Sequence, residues 1–216
     1  MDLHGYLRNP FRGNPLLKIR ENQSVEKTLI IIKPDAIKRG LVGTVITVFE
    51  NVGLKLLAAK MLKPSKDVIK NHYPGSSSWI REMGEKTIAS FKQSGADVKK
   101  KMGTDDPAKL GQFVYDRLIK YWSEGPIIVM VWQGPDAIQI ARKLRGHTIP
   151  LLAQSGTLHG NYSFDSSTLS SSLDRVVKTF VHASGDVEEA EREIKYWFPK
   201  TEFKNYEREV DSLYLK

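Results

Sequence analysis

The sequence predicts an α+β fold, a ferredoxin-like βαββαβ core in which helices cover one face of an antiparallel sheet, with a helical insertion added to it. Two observations carry this expectation. Four short apolar segments rich in β-branched residues alternate with segments whose apolar residues recur at every third or fourth position. Proline and glycine punctuate most of the junctions between them.

The elements follow in order. Residues 28–33 hold the run Leu29-Ile30-Ile31-Ile32, a buried strand that Pro34 ends. Val45, Val48 and Phe49 give residues 44–51 helical spacing, and Gly53 suits the stop. Residues 54–62 read as the second strand. Pro64-Ser65 opens a short helix with Val68, Ile69 and Tyr73 on one face, closed by Pro74-Gly75. From 76 to 109 the composition shifts to Ser, Lys, Gly and Asp around Trp79, Met83, Ile88 and Phe91, which reads as a helical insertion with loops. Residues 107–122 are a more regular helix through Leu110, Val114, Leu118 and Tyr121. After Gly125-Pro126 comes the third strand, 127–132, and then a helix over 136–144 that Gly146 ends. Residues 146–178 are long, irregular and serine-rich, a length that is usually functional or an insertion. The last strand, Thr179-Phe180-Val181, delivers His182 to the start of a helix over 187–198, and Asp186 with Glu189 has capping-box spacing.

A chain of 216 residues accommodates one domain with additions. The expected division is an N-terminal extension (1–25), a domain (26–199) with insertions near 75–110 and 166–177, and a tail (200–216). Hydrophobic residues make up 40%, with no apolar run long enough to cross a bilayer, so no membrane partner is expected. There are no cysteines, which excludes disulfides and thiolate metal sites. Together with the lack of an apolar signal-like segment in the first residues, this points to a cytoplasmic location. The net charge of +8 admits nucleic acid, yet the basic residues are dispersed and Lys99-Lys100-Lys101 is the only run of three. A basic cleft for phosphorylated small molecules suits the charge equally.

The familiar phosphate-binding loops are absent. What remains is a set of polar residues at element ends: Lys33, Tyr73, Arg142, Thr148, His182 and Glu193. Singly, each has a plain alternative, such as a solvent-facing lysine or a satisfied core histidine. Together they suggest chemistry. Glu193 lies beside the apolar stripe of its helix, where a carboxylate could hold one imidazole nitrogen and leave the other as a neutral nucleophile. The nearby helix N-terminus favours phosphate charge.

The stretch 28–43 (TLIIIKPDAIKRGLVG) resembles the opening of nucleoside diphosphate kinases. So do His72-Tyr73, Gly125-Pro126 through Trp132, Gly156-Thr157, and His182-Ala183-Ser184 followed by 188–198. The resemblance spans about 26–198 apart from the insertions. It implies a ping-pong exchange in which a histidine takes the γ-phosphate of a nucleoside triphosphate and passes it to a nucleoside diphosphate. His182 matches that nucleophile. Glu193 would orient it, Tyr73 and Ser184 would hydrogen-bond around it, and Lys33, Arg142 and Thr148 would hold phosphates. Magnesium (Mg2+) would enter mainly with the nucleotide rather than at a metal site of the protein. A homo-oligomer, tetramer or hexamer, is also implied, and Phe203, Tyr206, Leu213 and Tyr214 in the tail look hard to bury on one small body.

Three positions depart from the pattern. His159 stands where arginine is usual, Thr179 where asparagine is, and Val114 near a base-stacking phenylalanine, with Phe113 or Tyr115 as substitutes for that ring. If His159 meets phosphate, nucleotide affinity should rise as pH falls from about 8 to about 6.5. The alternative is that it points away and Lys143 or Arg145 supplies the charge. Two other functions compete: a nucleotide-binding or scaffold protein with weakened exchange activity, and nucleic-acid binding through the arm and insertion. Retention of the whole polar set favours exchange.

Overall fold

The computed structural model describes residues 25–198, 203, 206–209 and 211. The N-terminal arm with Leu16, Leu17 and Ile19, and the tail residues Leu213 and Tyr214, lie outside the described residues. The elements are β1 (Val25–Ile32), α1 (Pro34–Lys38), α2 (Val42–Asn51), β2 (Lys55–Leu62), α3 (Lys66–His72), α4 (Ser77–Gln93), α5 (Val98–Met102), α6 (Pro107–Ser123), β3 (Ile127–Pro135), α7 (Ala137–Arg145), a 3-10 turn (Pro150–Leu152), α8 (Leu158–Tyr162), α9 (Ser167–Ser172), β4 (Val181–Ala183) and α10 (Val187–Trp197). The sheet order is β2-β3-β1-β4 and neighbouring strands are antiparallel, so the ferredoxin-like α+β expectation holds.

One part of that expectation is corrected: helices cover both faces of the sheet. On one side Ile30, Ile32, Met130 and Trp132 meet Val45 and Phe49 of α2 and Ala137 and Ala141 of α7. On the other, Leu29, Ile31, Val129 and Val131 meet Ile69 of α3, Ile119 and Trp122 of α6 and Trp197 of α10. Burial on both faces is why β1 reads as an unbroken apolar run, with Leu29, Ile30, Ile31 and Ile32 all fully buried. The last strand also sits two residues later than the sequence suggests. Pairing of Ile30, Ile31 and Ile32 with Ala183, His182 and Val181 puts the histidine inside β4.

The segment expected to be an insertion is built on a 17-residue helix, α4, whose Ser76 cap accepts from Trp79 N at 3.3 Å. It lies against α6 at backbone contact. A Cβ at Gly84 would fall 1.8 Å from Pro107 O, and one at Gly111 would fall 1.8 Å from Ile80 O. Phe91, Val98 and Leu110 form a small core of its own, and Ser90 joins α4 to Ser167 of α9 through a 2.5 Å hydroxyl contact. The long segment before β4 is thus partly helical and is tied to α4.

In the tail, Phe203 packs on Phe198, Tyr206 donates to Leu56 O at 3.0 Å, and Arg208 donates to Leu54 O and Gly53 O. Phe203 is thus partly buried on the chain's own body, contrary to the expectation, whereas Tyr206 makes a contact there but stays 44% exposed, as expected. Because two glycines let α4 and α6 touch, Gly111→Ala should overpack the contact and destabilise the fold by about 1–3 kcal/mol. A lowered urea midpoint is the expected result; an unchanged midpoint contradicts the close approach.

Candidate active site

Sheet register delivers His182. Its neighbour Ser184 is locked to β1, with Leu29 N donating to its Oγ at 3.3 Å. Asp186 then caps α10, accepting from Glu189 N at 2.8 Å, and two turns into that helix Glu193 points back under β4. The His182 Nε2 atom lies 3.1 and 3.0 Å from the two Glu193 oxygens, and Ser184 Oγ donates to Oε2 at 2.7 Å. A carboxylate can only accept, so the imidazole proton is on Nε2. His182 Nδ1 has no hydrogen-bond partner among the described residues, which leaves its lone pair free in the cavity. Burial, against the opposing pull of Glu189, lowers the His182 pKa to about 3 and keeps the ring neutral.

The sequence pointed to the His72-Tyr73 pair but gave His72 no role. In the structure His72 is fully buried beside Glu193. Trp197 Nε1 donates to its Nδ1 at 3.1 Å, so the neutral ring carries its proton on Nε2, 3.4 Å from Glu193 Oε1 and outside good hydrogen-bond geometry. Burial lowers this pKa to about 3 as well. Donor atoms of His72, His182 and Glu193 lie within 4.8 Å of one another, the spacing of a metal centre. With both Nε2 atoms protonated in these tautomers the set is poorly disposed to ligate, and it is instead a carboxylate hydrogen-bonded by His182 and Ser184 with His72 packed beside it. Local sequence offered little notice of it, because the deciding donor, Trp197, is remote in the chain.

In front of His182 is a cavity of about 820 Å³. Lys33, Tyr73, Val114, Arg142, Thr148, His159 and Thr179 line it with the histidine, while Ser184 and Glu193 stand behind the imidazole. Lys33 Nζ donates to Thr179 Oγ1 at 2.5 Å and lies 4.9 Å from the Trp122 ring centroid. Its burial lowers its pKa to about 7. Tyr73 sets its ring edge-on to His72 at 4.8 Å, and burial raises its pKa. Its hydroxyl makes no hydrogen bond to His182.

Phe113 lines the cavity with Val114, whereas Tyr115 turns toward Trp79 at 5.9 Å and takes no part in the lining. The Arg117 guanidinium stacks on Phe113 at 3.5 Å and is held by Asp174 at 2.5 Å, which backs the ring with a fixed plane. His159 behaves differently from the sequence expectation. It is fully buried, pairs through Nδ1 with His147 O at 2.8 Å, and packs on Phe180. Burial pushes its pKa to about 3, so without a ligand it is neutral between pH 8 and 6.5. Arg145, not the exposed Lys143, lines the cavity.

A family model described as nucleoside diphosphate kinase matches residues 26–109 and 107–203. The chain belongs to this family. It is 48% identical to the nucleoside diphosphate kinase of Pyrobaculum aerophilum over 82% of this chain and 97% of that one. It is 34% identical to that of Borreliella burgdorferi, over 86% and 94%. Among solved structures, the Pyrobaculum NDP kinase superposes with a TM-score of 0.77 at 46% identity, covering 83% of this chain and 98% of the other. A transition-state mimic of the Borreliella enzyme with bound vanadate and ADP gives 0.69 at 34%, covering 87% and 95%. The family is one of nucleotide-binding phosphotransferases, and among the described residues no helix is long and apolar enough to cross a membrane.

Proposed function

We propose that this chain is a nucleoside diphosphate kinase that works by ping-pong transfer through His182. The observation that carries the reading is the divided imidazole: Nε2–H is held by Glu193, and Nδ1 is unpartnered at the floor of a cationic cavity. In the first half-reaction Nδ1 donates its lone pair to the γ-phosphorus of a nucleoside triphosphate. The N–P bond forms as the bond to the β–γ bridging oxygen breaks, and the diphosphate leaves. In the second, the terminal oxygen of another diphosphate attacks the phosphohistidine and regenerates Nδ1. No proton has to be removed from the nucleophile, so the protein's task is placement and charge.

Glu193 and Ser184 keep the ring in one tautomer and orientation and stabilise the charge it gains on phosphorylation. Lys33, Arg142 and Thr148 bind phosphate oxygens in this reading, and Thr179 holds the Lys33 ammonium by its hydroxyl. Tyr73 offers its spare hydroxyl, and Phe113 with Val114 provides the surface for the base. Magnesium is a hard ion that prefers oxygen, and the histidine-rich shell around Glu193 does not suit it. It fits better as a companion of the nucleotide, near the Glu189 carboxylate at the cavity edge, where it would neutralise phosphate charge. The vanadate and ADP complex of the Borreliella relative supports this assignment of chemistry.

Assembly into a tetramer or hexamer belongs to the same reading. Phe164 is 86% exposed and Leu151 is 61% exposed, and the two are neighbours because Leu151 N donates to Asp165 O at 3.0 Å. Apolar residues so placed suit a contact between copies.

Incubation with γ-labelled ATP should place alkali-stable label on the His182 peptide and release it to added diphosphates, and His182→Ala should abolish both. Label on serine, or undiminished exchange in the variant, rules the mechanism out. A pH dependence follows from Lys33. Unliganded it titrates near 7, and a bound polyphosphate favours its charged form and raises that pKa. Binding above pH 7 therefore takes up a proton, and ADP affinity should fall by up to about tenfold per unit as pH rises from 7 to 9. ADP titrations should show this slope in the natural protein and lose it in Lys33→Arg; a slope that survives the substitution assigns it elsewhere. Light scattering should return a multiple of the chain mass at micromolar concentration, and a single-chain mass would refute the assembly.

A further inference from the structure

We propose that Arg145 is a phosphate-binding residue of the active-site cavity and that the buried His159 braces the loop on which it rests. The inference depends on the nucleotide-exchange reading above and adds a cation that reading leaves unused. Arg145 is the last residue of α7, half-buried, and lines the same cavity as Lys33, Arg142 and His182. Its charge is felt by Lys33, His159 and His182, whose protonation it opposes in each case. A cation close enough to influence the nucleophile and the buried lysine is close enough to share their ligand.

The protein does not neutralise it. Among the described residues Arg145 forms no ion pair, and Glu189 acts on it only at longer range. Its Nε donates to Gly146 O at 3.2 Å, and Nη2 reaches Thr148 Oγ1 at 3.4 Å. Nη1 has no partner among the described residues. A half-buried guanidinium without a carboxylate is costly, and burial lowers its pKa to about 10. An anion entering the cavity removes that cost, and the planar fork with Nη1 free is suited to phosphate oxygens.

The loop beneath is rigid. Gly146 turns the chain with φ of 85°, and a Cβ there would lie 2.3 Å from Thr157 Oγ1. His159 takes the carbonyl of His147, the next residue, at 2.8 Å. The neutral imidazole thus fixes the turn between the Arg145 anchor at Gly146 and Thr148. Lys143, on the same helix, is exposed and outside the lining, so it serves as the control.

The test is calorimetric titration of ADP, inorganic tripolyphosphate and adenosine into the natural protein, Arg145→Leu, Arg145→Lys and Lys143→Leu, with thermal unfolding to check folding. Arg145→Leu should weaken ADP and tripolyphosphate by about ten- to a hundredfold and leave adenosine unchanged. Arg145→Lys, which keeps charge without the fork, should lose less, and should carry the test if the leucine variant does not fold. Lys143→Leu should match the natural protein. Undiminished ADP and tripolyphosphate affinity in both Arg145 variants, or an equal loss for adenosine, overturns the proposal. Labelling of His182 at saturating ATP is scored separately: its absence in the natural protein would defeat the exchange reaction, while the titrations still decide Arg145.

Discussion

Glu193 keeps only 1% of its surface exposed, and the arrangement around it explains much of the molecule. An ionised carboxylate that deep costs several kcal/mol unless donors surround it. Here the donors come from separate parts of the chain. His182 and Ser184 arrive from β4 and its end, Arg192 approaches at 3.7 Å from the same helix, and His72 faces it from the end of α3. Burial raises the carboxyl pKa and the donors oppose that rise. Its need for partners and the histidine's need for a fixed tautomer are met by one contact.

That contact depends in turn on the sheet being closed on both faces. β4 is a short edge strand, held to β1 by pairing at Ile30, Ile31 and Ile32. Its three residues would be weak support for a catalytic group if one face were wet. Instead α10 and α6 close the side on which Trp197 and Trp122 meet His72, and Trp197 is the donor that sets the His72 tautomer. Arg192 also donates to His72 O at 2.7 Å, so α10 and α3 are bound to each other beside the nucleophile. Packing and proton placement are thus carried by the same side chains.

What the sequence made legible was local or periodic. The Leu29 to Ile32 run, the Asp186 cap, and Glu193 beside an apolar helix stripe each follow from a few neighbouring residues. What it concealed depends on partners far along the chain. His72 acquires its role from Trp197, and His159 is neutralised by a core that includes Phe180 and by the His147 carbonyl. The two-sided burial of the sheet is present in the unbroken apolar run, but the ferredoxin-like element order by itself implies helices on one face only. Arg145 was legible only as one of two substitutes, with Lys143, for the charge missing at His159. A basic residue in the last turn of a helix already has a sufficient local explanation in the helix dipole, and only the cavity reveals that it faces inward.

The electrostatics of the cavity are best understood as a response held in reserve. Burial lowers Lys33 to about 7 and Arg145 to about 10, and it holds His72, His159 and His182 near 3. Without a ligand, the site therefore carries less charge than its residues could bear, since Lys33, Arg145, His159 and His182 charged together in one cavity, with His72 charged close behind it, would repel one another and destabilise the fold. The histidines are neutral without a ligand, which preserves the Nδ1 lone pair. The lysine is poised so that an arriving anion completes its protonation, whereas the arginine is charged at any ordinary pH and awaits only a counter-ion. On the proposed assignment of these two residues, attraction for phosphate is thereby greatest when phosphate is present. Because these groups are fixed by packing and by Thr179, Gly146 and Thr148, they need little reorganisation as charge shifts from the γ-phosphoryl group to the leaving oxygen.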